Sequence, residues 1–227
     1  MPQPFFDIQT LGKNAPPDSS FAHRTPAEVR QHLQRTKYGD FSLPDAIRPS
    51  FDLQIIPREG WRQETYVDDV TEEATPVLRG AVSREQLIDV FYEMIGLVGD
   101  TANVVLETSH VELLTKKDFH YYYREEIDLP VLKSILIDYE DFLLADGCTG
   151  IAVLHPYDFV EIHLDEHKLL TLYAKDISDF EQIFQKYSIP LDPRLQILTD
   201  AEHVHVTRDE YAETFQKLTE DLGMEAF

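Results

Sequence analysis

The pattern of nonpolar and polar residues becomes regular from residue 81 onward, where it changes repeatedly between a helical and a strand period. After the polar run that starts at Ser83, nonpolar side chains recur every three or four positions as far as Val98, which predicts an amphipathic helix. A second helical stripe begins at Asp128 and ends before Gly147. Between them, short branched and aromatic runs predict strands at 104–106, 111–114 and 119–123.

The same order of elements returns about 48 to 50 residues further along the chain. A helix is predicted to begin at Ser178, and strands are predicted before it at 151–154, 159–164 and 169–173. Two origins stay open: duplication of one strand–strand–strand–helix unit, or two unrelated blocks that share this order. In either case each block has a nonpolar strand face and a nonpolar helix stripe that must be covered. The sequence therefore predicts an α+β fold, with a mixed, mostly antiparallel sheet and helices packed on one face.

Residues 1–80 differ from the rest because they contain nine of the thirteen prolines. Proline removes a backbone donor and disfavours helix at the preceding residue, so long regular elements are not expected there. The segment from Thr25 to Glu28 has the pattern of a capping box and predicts a short helix reaching about Lys37, while 51–56 predicts a strand. We therefore predict a proline-rich arm with one short helix, packed on an acidic α+β domain at 81–227.

The net charge of −22 is concentrated in that second part of the chain. Residues 1–80 carry nine basic and twelve acidic side chains, a balance of −3, and residues 81–227 carry eleven and thirty, a balance of −19. Such a surface repels nucleic acid and anionic membranes, so neither is expected as a partner. No nonpolar run approaches the roughly 20 residues of a membrane-spanning helix. Cys148 is the only cysteine, which excludes an intrachain disulfide and favours a reducing, cytoplasmic compartment.

The predicted strand at 159–164 and the turn after it contain the candidate metal ligands. Glu161 and His163 share one strand face, and the nonpolar residues that alternate with them share the other. His167 lies just past the turn, where it can fold back toward His163. Because imidazole nitrogen and carboxylate oxygen bind divalent metals, Glu161, His163 and His167 are candidate ligands of such an ion. Their spacing differs from the helical His-Glu-x-x-His zinc motif, and a solvated hairpin tip explains the same pattern.

Two further features carry chemistry that can be weighed from the sequence. His203 and His205 share one face of a predicted strand and could line a site with His155 or His163, although an exposed edge strand gives the same pattern. Cys148 follows a glycine at a helix-to-strand turn, and nothing in the sequence places a histidine against it. We expect a buried structural thiol rather than a nucleophile.

No motif in the chain specifies a reaction. The chain contains no Gly-x-Ser-x-Gly elbow, no phosphate-binding Gly-Lys-Ser/Thr loop and no Gly-x-Gly-x-x-Gly. The charge imbalance and the aromatic strand residues favour a non-catalytic protein-binding or oligomerising module, without catalytic residues or a resident cofactor. The alternative is a metal-dependent or acid–base enzyme that uses the His/Glu cluster of 159–167. That alternative requires Glu161 and His163 to converge with another histidine or carboxylate in a concave site.

Overall fold

The computed structural model of the chain describes residues 16–67, 70, 72–110 and 120–226. The described helices are α1 (Pro26–Leu33), α2 (Arg84–Ile95), α3 (Leu129–Ile137), α4 (Glu140–Ala145), α5 (Ser178–Lys186) and α6 (Glu210–Asp221). The described strands are β1 (Lys37–Tyr38), β2 (Phe41–Ser42), β3 (Ile47–Pro49), β4 (Gly60–Val67), β5 (Ala74–Ala81), β6 (Thr101–Thr108), β7 (His120–Asp128), β8 (Thr149–Leu154), β9 (Val160–Leu164), β10 (Leu170–Ala174), β11 (His203–His205) and β12 (Glu225–Ala226). The longest described helices have 12 residues, and none of the described helices has the length and nonpolar character needed to cross a membrane.

Eight strands form one sheet, in the order β12-β7-β6-β8-β9-β10-β5-β4. Every neighbouring pair in that sheet is antiparallel. Strands β8, β9 and β10 follow one another as a meander joined by short turns, with Ile151 opposite Leu164 and Leu164 opposite Leu170. The predicted α+β fold with a mostly antiparallel sheet is therefore confirmed.

The main core lies between the helices and one face of this sheet. Alternate strand residues such as Leu106, Ile162 and Leu164 pack there with the nonpolar stripes of α2 to α6. Phe91 and Phe215, from α2 and α6, are among the largest fully buried side chains in the described chain. Since side chains alternate along a strand, Glu107, Glu161 and His163 are directed to the opposite face.

The N-terminal region combines a small layer of its own with two strands of the main sheet. Helix α1 begins at the predicted capping box of Thr25 and Glu28. Strand β3 pairs with β11 in a separate two-stranded sheet. Strands β4 and β5, however, belong to the main sheet, where β5 lies beside β10. Residue 80, the predicted boundary, lies within β5. Proline is compatible with this hairpin because Pro76 comes immediately before Val77, the first residue of β5 that pairs with β10.

Several local predictions are wrong in detail. Residues 51–56 form turns rather than a strand, and Leu53 has φ 55°, which a strand excludes. The predicted strand that carries His203 and His205 does form, and it pairs with β3. The single helix predicted from Asp128 is divided into α3 and α4. The predicted strand at 111–114 lies outside the described residues, so the repeated strand–strand–strand–helix unit stays a prediction.

Candidate metal centre

Three histidines from two distant elements meet at one end of the main sheet. His167 lies in the turn between β9 and β10, and His203 and His205 are the first and last residues of β11. Their ring centroids are 4.7 Å apart for His167 and His205, 4.9 Å for His167 and His203, and 5.3 Å for His203 and His205. One ring nitrogen from each histidine lies within 4.8 Å of the other two. We call these three residues the histidine cluster.

The β9–β10 turn fixes the position of His167. Oδ1 of Asp165 accepts the backbone N–H of His167 at 3.0 Å and that of Leu169 at 2.8 Å. Lys168 has φ 60°, a left-handed conformation that closes the turn. Oδ2 of Asp165 lies 3.3 Å from Nδ1 of His167, and a carboxylate oxygen of Glu166 lies 3.5 Å from the same nitrogen. The turn therefore presents the imidazole with carboxylates at its Nδ1 edge.

Strand β11 presents its two histidines on one face. Val204, between them, is buried on the opposite face against Phe21, Val29 and Leu33. Nδ1 of His203 donates to the carbonyl of Ala201 at 2.9 Å, and Nδ1 of His205 donates to the carbonyl of Gly147 at 2.5 Å. Because a carbonyl oxygen only accepts, each Nδ1 carries the proton, and Nε2 is the lone-pair nitrogen of the neutral ring.

The electrostatic environment keeps the two β11 rings neutral. Burial, followed by the positive charge of His167, lowers the pKa of His205 to about 3. Burial also lowers the pKa of His203. For His167 burial again lowers the pKa, but the hydrogen bond and charge of Asp165 outweigh it and the pKa is raised. Nε2 of His203 is buried and has no hydrogen-bond partner of ordinary geometry among the described residues, although the backbone of Leu198 also interacts with this ring.

This arrangement has the chemistry of a transition-metal site. Neutral imidazole is a preferred ligand of zinc, copper, nickel and iron, with metal–nitrogen distances of about 2.0 to 2.1 Å for zinc. Metal-bound histidines usually donate their second ring N–H to a carboxylate or a backbone carbonyl, which fixes the ring and the tautomer. Each histidine of the cluster has such an oxygen at Nδ1. The described residues therefore bring together three imidazoles and three oxygens near Nδ1, an arrangement compatible with metal binding.

A buried polar network lies behind the cluster. Asp146 accepts from Nε2 of His110 at 2.9 Å, from Thr149 at 2.6 Å and from Thr207 at 2.5 Å. Lys168 is buried and donates through Nζ to the backbone carbonyl of Thr149 at 2.6 Å. Both oxygens of Asp146 are thus in use, and the network joins the start of β8 to the residues after β11. We interpret it as structural support rather than a second metal site.

Cys148 belongs to the same buried region, and its predicted burial is confirmed. Its sulfur lies within 4.8 Å of ligand atoms of His110 and Asp146. Burial and then the charge of Asp146 raise the pKa of Cys148 to about 12. The thiol is therefore protonated at neutral pH, which disfavours both nucleophilic attack and metal ligation.

The other two predicted ligands, Glu161 and His163, lie on the outward face of β9. Nε2 of His163 donates to the Glu161 carboxylate, and the imidazole packs edge-on against Tyr173 at a centroid distance of 5.8 Å. Burial lowers the pKa of His163, but the hydrogen bond to Glu161 outweighs it and the pKa is raised. Among the described residues, the convergent ligand groups include neither Glu161 nor His163. The structure thus separates this pair from His167, which meets the β11 histidines instead.

A pair of carboxylates links these two regions. Burial, followed by the charges of Glu166 and Asp165, raises the pKa of Glu107 to about 7. Glu107 also hydrogen bonds to Glu166, and its side chain lies over Gly150, where an added Cβ would overlap it. Glu107 had no distinguishing signal in the sequence, because its role depends on the register of β6 with β8.

Two cavities differ greatly in size and in chemistry. A cleft of about 530 Å³ at the β12–β7 edge is lined by Tyr123, Arg124, Glu125, Gly223, Glu225 and Ala226. A crevice of about 20 Å³ borders His167 and Lys168. The crevice borders one member of the histidine cluster, whereas the described residues that line the larger cleft include no histidine.

The convergence of the cluster was only half visible in the sequence. The shared strand face of His203 and His205 was predicted, but the third histidine was expected to be His155 or His163. His167 takes that place because β11 pairs with β3 and lies against the β9–β10 turn. Comparison of the chain with protein families, curated proteins and solved structures finds no match.

Proposed function

We propose that this protein binds a divalent transition-metal ion of the zinc type at His167, His203 and His205. The observation that carries the proposal is the convergence of three imidazoles, each with an oxygen at Nδ1. A metal ion would bind one ring nitrogen from each histidine, and the oxygens at Nδ1 would hold the rings in place.

The charges around the cluster also favour a dication. Asp165 and Glu166 lie beside His167, and together with Asp146 they surround the buried, positively charged Lys168. Buried carboxylates in excess of buried cations are unfavourable unless a further positive charge compensates them. In the metal-free protein His167, whose pKa is raised, supplies part of that charge when it is protonated. A bound dication replaces the proton and offsets the remaining negative charge.

The bound metal would connect two layers of the fold. His167 belongs to a turn of the main sheet, whereas His203 and His205 belong to the small β3–β11 sheet. A ligand that binds the folded state alone stabilises it, by about 2.7 kcal/mol at a concentration 100 times its dissociation constant. We therefore assign the metal a structural role, that of holding the small sheet against the β9–β10 turn.

The size of the crevice supports this role over catalysis on a large substrate. A volume of about 20 Å³ accommodates roughly one water molecule. Substrate pockets in enzymes are commonly about 300 to 1,000 Å³. The predicted enzyme that uses Glu161 and His163 gains little support, because those side chains pair with each other away from the histidine cluster.

Metal analysis after chelation and reloading tests the proposal. Wild-type protein should retain one zinc per chain, and His203→Gln and His205→Gln should each weaken binding by more than the roughly 10- to 100-fold that loss of a supporting contact costs. His23→Gln is the matched control, because His23 is exposed and lies outside the cluster. Urea unfolding of each metal-free variant shows whether it is folded. The proposal is contradicted if reloaded wild-type protein holds no stoichiometric zinc. It is also contradicted if a folded variant that combines His203→Gln and His205→Gln retains as much zinc as the wild type.

The expected protein-binding or oligomerising role has its own supporting observation. Strand β4 is eight residues long and lies at the edge of the main sheet, with Tyr66 and Val67 exposed near its end. Edge strands can add a strand from a second chain. Light scattering after size exclusion tests this second candidate: a dimer that Tyr66→Lys converts to a monomer supports it, and a wild-type monomer across the accessible concentrations counts against self-association.

A further inference from the structure

Among the described residues, only the segment 190–192 pairs with the outer edge of β4. The backbone N–H and carbonyl of Trp61 both hydrogen bond to this segment, at 2.9 and 2.8 Å. Because backbone groups alternate between the two sides of a strand, those of Gln63, Thr65 and Val67 point to the same edge as those of Trp61. We call these three residues the open edge of β4.

The open edge has the properties of a strand that can accept another strand. No described residue outside β4 and β5 forms a backbone hydrogen bond with it. Exposed edges are commonly protected by lysine, proline or a bulge. The segment 63–67 contains neither lysine nor proline, and it pairs with β5 without a shift in register. The edge is therefore unprotected along these five positions.

The charge at the open edge permits contact between two copies of this acidic chain. Glu64 is the only charged residue in the segment 63–67. Its carboxylate lies 2.6 Å from Nε of Arg62 and 3.6 Å from Nε of Arg79. These two guanidinium groups offset the negative charge locally, so the repulsion expected from a net charge of −22 is reduced at this edge.

A second copy fits the open edge as an antiparallel strand related by a two-fold axis perpendicular to the sheet. With the axis at Thr65, Thr65 faces its own copy, and Gln63 of each chain faces Val67 of the other. All three residues of the open edge are then paired on both copies. Since β4 ends at Val67, the strand of the second copy ends opposite Gln63 and does not reach the segment 190–192.

Other positions of the axis are less favourable. An axis at Gln63 would place Thr65 opposite Trp61, whose backbone groups are already bonded. An axis at Glu64 would place that carboxylate opposite its own copy, and like charges directly opposite each other are destabilising. An axis at Tyr66 would leave Gln63 unpaired, because β4 of the second copy ends before it reaches that position.

We infer that two copies of the chain pair through β4 with Thr65 of one copy opposite Thr65 of the other. This pairing rests on the proposed self-association and specifies its partner and its register. It places Glu64 of each copy beside Tyr66 of the other rather than beside a second carboxylate. The two main sheets then continue into each other across the contact.

Disulfide cross-linking tests the register. Cα atoms of a hydrogen-bonded antiparallel pair are about 5.5 Å apart, within the range of about 4.4 to 6.8 Å that a disulfide spans. Thr65→Cys should therefore be mostly cross-linked in a glutathione redox buffer. Gln63→Cys is the matched control: Gln63 is also exposed on the open edge, but its two copies lie roughly 13 Å apart along the strands, so this variant should stay mostly monomeric on a non-reducing gel. Wild-type protein should not cross-link, because Cys148 is buried.

Light scattering under reducing conditions separates the register from the self-association itself. A wild-type protein that stays monomeric at all accessible concentrations overturns both. If the wild type is a dimer that Tyr66→Lys disrupts, but Thr65→Cys cross-links no more than Gln63→Cys, the self-association stands and the register is overturned. Both cysteine variants replace exposed residues, so their urea unfolding midpoints should match that of the wild type.

Discussion

Nδ1 of His205 donates a hydrogen bond of 2.5 Å to the backbone carbonyl of Gly147, across 58 residues of sequence. Gly147 also donates its N–H to Val206 at 2.8 Å, so β11 is attached to the α4–β8 turn on both sides of the imidazole. The contact sets the tautomer of His205 and leaves Nε2 as the lone-pair nitrogen. One backbone carbonyl thus connects the packing of the turn to the chemistry of the cluster.

Gly147→Ala should destabilise the protein by about 2 to 4 kcal/mol and weaken metal binding. An added Cβ would overlap the carbonyl oxygen of Ala46, a backbone atom that cannot move by a side-chain rotation. Gly39→Ala is the control: its φ of 64° is strained for alanine, but no atom lies within 4 Å of the added carbon, so a cost of about 1 kcal/mol is expected. Urea unfolding measures both. Equal losses in the two variants would show that Gly147 is not sterically required.

Acid should destabilise the metal-free protein through His205. Its folded pKa of about 3 lies below the unfolded value near 6.5, so the unfolded chain takes up a proton that the folded chain refuses. This contribution is fully present above about pH 6.5 and is lost as the pH falls toward 3, by at most about 1.4 kcal/mol per pH unit. His203 acts in the same direction, and His167, whose pKa is raised, acts in the opposite one.

Unfolding in urea at about pH 7.5 and about pH 5.5, with chelator present, measures this effect. Wild-type protein should lose about 1 kcal/mol more than His205→Gln between the two pH values. If the free energy of unfolding falls by the same amount in both proteins between the two pH values, His205 is not buried in its neutral form.

Asp146→Asn should cost about 3 to 5 kcal/mol, because it removes the charge that three buried or half-buried donors share. The matched control is Asp141→Asn, since Asp141 lies in α4, the helix that ends just before Asp146, and its side chain is fully exposed. That control should leave the unfolding midpoint unchanged. Chemical denaturation compares the two, and an Asp146 variant as stable as its control would rule out a structural role for the network.

Asp165→Asn should weaken zinc binding by about 10- to 100-fold while the protein stays folded. The substitution removes the charge at Nδ1 of His167 and alters the turn that positions the ring. Asp158→Asn is the control, because Asp158 accepts a backbone N–H in the neighbouring β8–β9 turn, away from the cluster. Competition with a chromophoric chelator measures both affinities. Unchanged affinity in Asp165→Asn would remove Asp165 from the metal site.

The fold was predictable where local periodicity is strong. The stripe of α2, the alternation of β9 and the capping box of α1 follow from neighbours within a few residues. The β4–β5 hairpin was missed because the prolines around it were weighed as breakers, although Pro76 lies where β5 no longer pairs with β10. The partner of β11 was also missed, since β3 lies about 155 residues away and no local pattern records that pairing.

The histidines of the site were predictable only separately, because no local sequence pattern records the long-range pairing that brings them together. The shared face of His203 and His205 is a period-two pattern, and the turn that carries His167 is a local Asp-Glu-His-Lys sequence. Their convergence depends on long-range pairing, which also separates His167 from Glu161 and His163. The supporting carbonyls of Ala201 and Gly147 are backbone atoms, so no side-chain pattern in the sequence could mark them.

X-ray absorption of zinc-loaded protein is the most direct test of the three-histidine site, because it counts the atoms bound to the metal and identifies imidazole from scattering within the ring. We expect three imidazole nitrogens at about 2.0 to 2.1 Å from the zinc, with the imidazole signal reduced in His203→Gln. A spectrum with sulfur bound to zinc, or with fewer than two imidazoles in the wild-type protein, would contradict the assignment of His167, His203 and His205.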